Sequence, residues 1–152
     1  GDILRQSVFT SYRNTGCTLQ GTLAFDIISG HRINYSATWS YSCSAYTDHA
    51  VIHRMLNQRA QLNLCLLPSR LFLNTNVSHT HNSNLSSSKK NYLFIGSGLL
   101  YKMSKKVELN LDGDNLTNIR TYKNRSLGDM EDYYMEYHLR PLSVTLTAHI
   151  YF

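Results

Sequence analysis

The stretch Pro141-Leu142-Ser143-Val144-Thr145-Leu146-Thr147-Ala148-His149-Ile150-Tyr151-Phe152 alternates polar and apolar side chains without a break. Leu142, Val144, Leu146, Ala148, Ile150 and Phe152 fall on one side; Pro141, Ser143, Thr145, Thr147, His149 and Tyr151 fall on the other. Successive strand residues point to opposite faces, so this is a strand with one oily and one wet face. About ten alternating residues closed by an aromatic is the length that crosses an outer membrane at a tilt.

Working outward, the same alternation recurs. Val107, Leu109 and Leu111 oppose Glu108, Asn110 and Asp112. In 92–102, Leu93, Ile95, Leu99 and Tyr101 oppose Phe94, Gly96, Gly98, Leu100 and Lys102. In 70–80, Leu71, Leu73, Thr75 and Val77 oppose Phe72, Asn74, Asn76 and Ser78, and Pro68-Ser69 turns back to 61–67, where Leu62, Leu64 and Leu66 oppose Asn63 and Cys65. Between Ile33 and Ala45, seven apolar or aromatic residues, Trp39 among them, alternate with Asn, Ser and Thr, a longer run than soluble strands use. Residues 17–27 alternate Cys17, Leu19, Gly21, Leu23, Phe25 and Ile27 against Thr18, Gln20, Thr22, Ala24 and Asp26. The segment 3–12 mixes both registers. The reading is all-β: about eight antiparallel strands in up-and-down order, forming part of a transmembrane β-barrel.

Two further patterns point to lipid. Within the strands from 17 onward the oily faces hold no Asp, Glu, Lys or Arg, while Asp26, Lys102, Glu108 and Asp112 lie opposite. A charge facing lipid near mid-membrane costs about 2–4 kcal/mol, which explains such a segregation. The connections at 29–32, 68–69 and 104–106 are short, and those at 47–58, 81–91 and 113–137 are long and polar, as with short periplasmic turns and long external loops. Arg13-Asn14-Thr15-Gly16 is an expected turn that breaks this rule by being short. Tyr35, Tyr41, Tyr101 and Phe152 suit an interfacial girdle, whereas Trp39 is mid-strand.

Composition narrows the alternatives. With 152 residues the chain is one domain or a piece of a larger protein. Charged residues are 16%, below the roughly 25% of soluble domains, so hydroxyls, amides and tyrosines cover much of the surface. No apolar run is long enough for a membrane helix, and no signal peptide is visible. The 15 Lys and Arg are scattered, which excludes a nucleic-acid stripe. Cys17, Cys43 and Cys65 lack metal or redox spacing and read as small hydrophobes, with Cys65 facing inward. His49/His53 and His79/His81 read as solvated or structural in or near loops, and Asp129, Glu131 and Asp132 as a solvated loop without a water-excluding cleft. The sequons at Asn34, Asn76, Asn84, Asn115 and Asn124 follow from an Asn-, Ser- and Thr-rich chain. No catalytic, cofactor or metal residue is assigned.

Three local sequences resemble the C-terminal part of a TonB-dependent-receptor type outer-membrane β-barrel, of the outer-membrane β-barrel family common in Bacteroidota. Asn14, Gly16 and Gly21 match its Asn-x-Gly and x-Gly-x-Glu strand, with Leu23 where an acid is usual. Leu109 to Asn118, with Asn115, Leu116 and Asn118, looks like its Asn-Leu-Thr/Phe-Asn segment, and Arg140-Pro141 through Phe152 resembles its final strand, with Leu142 in place of a frequent Arg. The resemblance implies a bacterial outer-membrane location, lipid contact, a plug domain and TonB-contacting segment outside this chain, and a final strand, Leu146, Ala148, Ile150 and Phe152, recognised by the barrel-assembly machinery. It leaves the ligand unidentified.

The expected function is the barrel wall of a receptor admitting a scarce or bulky ligand, with no enzyme activity. The alternatives are a complete eight-stranded adhesin or anchor, and a soluble β-barrel holding an apolar ligand with its oily faces inward.

Overall fold

The computed structural model describes residues 2–5, 8–28, 30–46, 50–85, 90–127 and 132–152. They contain β1 (Asp2–Arg5), β2 (Val8–Ile28), β3 (His31–Tyr46), β4 (Ala50–Leu67), β5 (Leu71–Asn82), β6 (Asn91–Lys102), β7 (Val107–Asp114), β8 (Thr121–Leu127), β9 (Asp132–His138) and β10 (Ser143–Ile150), with no helix among them. The main sheet has eight strands in the order β1-β2-β3-β4-β5-β6-β7-β10, and β8 and β9 form a separate two-stranded sheet. The strands pair antiparallel throughout.

The all-β, up-and-down expectation holds; among the described residues the sheet does not close into a barrel. Among the described residues β10 pairs with β7 alone, and β2 from Tyr12 onward pairs with β3 alone, so the sheet has two open edges.

Three expected boundaries are corrected. Arg13 to Gly16 is not a turn but lies inside β2, with Arg13 opposite Ala45 and Gly16 opposite Ser42. Turn-prone Asn14 and Gly16 are overridden because β3 offers backbone partners as far as Tyr46 and a long ladder rewards extension. Gly16 also suits a close approach, since a Cβ there would lie 3.1 Å from the Tyr41 carbonyl oxygen. The link expected over 47–58 shrinks: β4 begins at Ala50, and Ile52 and Cys43 face each other across the β3–β4 ladder. The long loop over 113–137 contains the β8–β9 hairpin. A bulge between Cys65 and Leu67 makes Leu67 rather than Leu66 the partner of Leu71.

Partners directly opposite in a ladder share a face, so the register fixes both faces of the sheet. One row runs Phe25, Ile33, Leu62, Thr75, Ser97, Gly113, Val144, and another Leu64, Leu73, Leu99, Leu111, Leu146. The neighbouring row on the opposite face runs Asp26, Arg32, Asn63, Asn74, Gly98, Asp112, Thr145. Phe25 lies close to the end of β2 at Ile28, whereas its row-mate Val144 lies far from the end of β10 at Ile150. The strands are thus staggered across the sheet, the shear that tilts strands in barrels.

Almost nothing is enclosed. Only Leu85, Tyr92 and Asn82 are buried among the described residues, and the accessible surface is 10836 Å². A compact monomer of this mass exposes about 7,900 Å², so this chain exposes roughly a third more than a self-sufficient soluble domain.

Candidate functional site

The oily face is coherent across seven strands and uncovered. Leu146 is 68% exposed, Leu19 66% and Trp39 37%, and Leu23, Phe25, Leu93, Leu111, Val144 and Ile150 are exposed beside them. Cys17 and Cys43 lie on this face as expected, and Cys65 on the other, opposite Phe72; all three are free thiols. Within the strand bounds read from sequence the face holds no charge. The longer strands add Arg13, opposite Ala45, and Arg54, opposite Tyr41, both toward the long-loop end.

Polar side chains on this face satisfy one another. Gln58 Nε2 donates to the Tyr35 hydroxyl at 2.8 Å, its Oε1 meets His79 Nδ1 at 3.1 Å, and His81 Nδ1 meets Asn91 Oδ1 at 2.7 Å. Thr75 and Ser97 hydroxyls pair at 3.0 Å. Cross-strand pairing of this kind lowers the penalty of placing polar groups among apolar ones. His79 thus lies in the strand read from sequence, and β5 runs on past it to include His81, expected at the start of the following link. His53 lies in β4 beside the Asn84 amide, and His49 is outside the described residues. No cluster of three or more potential metal ligands occurs among the described residues. Asp129 and Glu131 also lie outside them, while Asp132 pairs with Leu127 in the hairpin.

The wet face carries amide and ion-pair ladders. Asn74 Nδ2 donates to Asn63 Oδ1 at 2.5 Å, Asn76 Nδ2 to Asn74 Oδ1 at 3.0 Å, and Asn110 bonds Asp112. Arg32 pairs with Asp26 at 2.8 Å and Lys102 with Glu108 at 3.3 Å. Asn63, Asn74, Gly98, Asn110 and Asp112, with Phe72 and Leu100, line an open depression of about 280 Å³ near the short turns. Gly98 belongs to its floor because a Cβ there would stand 2.7 Å from Asp112 Oδ1.

At the other end the β8–β9 hairpin packs onto the wet face. Tyr122 meets Tyr92 edge-on at 4.9 Å between ring centroids and Phe94 at 5.8 Å, and stacks on Tyr137 at 6.0 Å. Burial pushes the Tyr122 hydroxyl pKa up, and Tyr92 and Tyr137 add to the shift. The Asn82 amide donates to Asn124 Oδ1 at 3.0 Å and to the Arg125 carbonyl at 2.9 Å, and the Lys123 N–H donates to the Tyr92 hydroxyl at 3.1 Å. Sequence alternation missed this contact because Asn82 and Tyr92 meet the hairpin across about forty and thirty residues of chain.

Asn115, Leu116, Asn118, Arg140 and Pro141 gather at the root of that hairpin. Asn115 and Asn118 adopt left-handed φ values of 49° and 52°, a conformation asparagine tolerates better than most residues. Asn115 Nδ2 donates to the carbonyls of Ile119 and Arg140, both at 2.8 Å, its Oδ1 accepts the Ile119 N–H at 3.0 Å, and Asn118 Oδ1 accepts the Leu142 N–H at 3.2 Å. Leu116 covers Gly113, where a Cβ would stand 2.8 Å from Leu116 Cδ2, and its N–H donates to the Ile95 carbonyl. Arg140 and Pro141 are exposed here, Asn14 and Gly16 sit in β2 on the wet face, and Gly21 lies on the oily face opposite Ala37. Leu146, Ala148 and Ile150 lie along β10 on the open edge, with Phe152 fully exposed beyond it.

The sequence matches no protein-family model and no curated protein, and the fold matches no solved structure.

Proposed function

We propose that this chain is a barrel-wall segment of a bacterial outer-membrane receptor that takes up a scarce or bulky ligand, its oily face in lipid and its wet face toward a lumen. The observation that carries the reading is the apolar face spanning seven strands, uncharged but for Arg13 and Arg54 at its long-loop end, with no protein layer over it among the described residues. Monomeric soluble proteins rarely leave contiguous apolar patches beyond a few hundred Å² exposed. On β3 the apolar run from Ile33 to Tyr41 covers about 26 Å of strand. At a barrel tilt of about 40° that is about 20 Å of depth, near the ~25 Å apolar band of outer-membrane barrels. Arg54 and Arg13 come at its long-loop margin, where a long cation reaches headgroups.

The strand stagger and the short turns at one end support the same reading, and the two open edges favour a wall segment completed by further strands over an eight-stranded barrel closed on itself. In this reading the partners are outer-membrane lipid, the barrel-assembly machinery acting on β10, a plug domain and, through it, TonB. The amide and hydroxyl ladders serve a hydrated or plug-filled interior. Trp39, the single tryptophan, supplies the test. Folded into bilayers containing lipids brominated on their acyl chains, the protein should lose a large part of its Trp39 emission. Unquenched emission at equal protein incorporation overturns the proposal.

A further inference from the structure

We propose that the β8–β9 hairpin is a strap latched over the wet face, with Asn82 and Tyr92 as its latch and the Asn115–Asn118 turn as its hinge, so that it opens as one unit while the eight-stranded sheet stays paired. The first support is topological. Among the described residues no backbone ladder joins β8 or β9 to the main sheet; the two pair only with each other. Releasing the hairpin therefore breaks side-chain contacts and leaves every ladder bond of the sheet in place.

The second support is where burial is found. Of the three buried residues among those described, two, Asn82 at 1% and Tyr92 at 3%, are those that touch the hairpin. Asn82 belongs to β5 and Tyr92 to β6, so two neighbouring wall strands each hold the strap through a polar group. The Asn82 amide donates twice, to Asn124 Oδ1 and the Arg125 carbonyl, while its own Oδ1 accepts the Asn84 N–H at 3.0 Å. A buried amide satisfied this fully fixes one arrangement, because separation exposes each group to loss of its partner until water replaces it. The Tyr92–Phe94–Tyr122 rings add an apolar contact next to it.

The third support is the hinge. Asn115 ties the chain leaving β7 to the chain returning before β10 through the Arg140 carbonyl, and the Leu139 N–H donates to the Arg120 carbonyl at 2.9 Å. The excursion is thus closed at its root by bonds independent of the latch. A stretch fixed at its base and held at its middle by side chains has the two-state form from which gates are drawn. That opening exposes the long-loop end of a lumen rests on the reading proposed above; that the hairpin is a separable latched unit does not.

Amide hydrogen exchange on the full chain, folded in detergent micelles, tests it. Asn82→Ala should raise exchange at 122–125 and 133–137 about tenfold or more, while amides of the β3–β4 and β4–β5 ladders keep their wild-type rates. Unchanged hairpin rates, or hairpin and sheet amides accelerating together, overturn the proposal. Tyr92→Phe keeps the ring and removes the acceptor of the Lys123 N–H, and it should accelerate the same segment to a smaller degree. It decides the question if Asn82→Ala fails to fold. The comparison is internal to each sample, so a chain that folds in plain buffer overturns the membrane reading while its exchange rates still decide whether the strap opens separately.

Discussion

At the scale of single residues, neighbours in sequence carry opposite expectations. Leu111 is exposed on the oily face and Asn110 adjoins Asp112 on the wet face. In a bilayer Leu111→Arg should destabilise the folded state by about 2–4 kcal/mol, while Asn110→Arg, beside the Asp112 carboxylate, should change it by less than about 1 kcal/mol. Denaturant unfolding from lipid vesicles measures both; equal small effects, as expected at a solvent-exposed surface, count against lipid contact. Asn115 makes a second prediction. Asn115→Ala removes four side-chain hydrogen bonds, the longest from the Thr117 hydroxyl at 3.5 Å, and puts alanine at φ 49°, which asparagine tolerates better, a loss of about 2–4 kcal/mol in the turn. Faster trypsin cleavage after Arg120, with cleavage after Arg59 in β4 unchanged, is the readout. Asn115→Asp keeps the acceptor for the Ile119 N–H and should fall between. The faces of Leu111 and Asn110 were legible in the sequence because strand alternation is local. The work done by Asn115 was not: its motif was visible as a resemblance, but its partners at Ile119 and Arg140 depend on where the chain returns.

At the scale of elements, β3, β5, β6 and β10 are where their side chains placed them, to within a few residues. The misread stretches are those whose composition imitates loops. Arg13-Asn14-Thr15-Gly16 carries turn residues, and Val51 to Gln58 mixes His, Arg and Asn, yet both extend ladders because the partner strand offers bonds along its length. The β8–β9 hairpin was hidden for a different reason: Tyr122, Asn124, Met135 and Tyr137 share one side by register, but few other apolar residues accompany them. Its outer side holds a charge pair, Lys123 Nζ at 3.3 Å from Glu136 Oε2, with the Tyr134 hydroxyl donating to the same carboxylate oxygen at 3.1 Å. The Lys123 and Tyr134 bonds hold the Glu136 pKa below the usual carboxylate range. A depressed carboxylate contributes stability above its unfolded pKa and loses it as pH falls through the folded one. Hairpin protection, corrected for intrinsic exchange, should therefore hold from neutral pH to the ordinary glutamate range and decline below it, relative to the sheet. Glu136→Gln should flatten that decline; a decline of the same size in the variant assigns it elsewhere.

At the scale of the whole molecule, the question is what closes the sheet. Its two open edges, β2 from Tyr12 to Ile28 and the free side of β10, present rows of backbone donors and acceptors. In water such edges recruit other chains, and within lipid each unpaired group is costlier still. The oily face compounds the problem, since about a third more surface is exposed than a compact monomer of this mass allows. Folding the sheet on its own oily face would carry a cost of its own, because Arg13 and Arg54 would then lie inside. The chain by itself should therefore need detergent to stay dispersed and, once dispersed, should associate through its edges into β-rich oligomers. On a gel it should lack the heat-dependent mobility shift of a closed monomeric barrel. Extending the sheet with further strands of a longer polypeptide should restore that shift, because each added strand satisfies an edge and full closure removes both. A heat-modifiable monomer from this chain alone would favour an eight-stranded barrel instead, and a dispersed monomer in plain buffer would mean that the oily face had found cover within the protein.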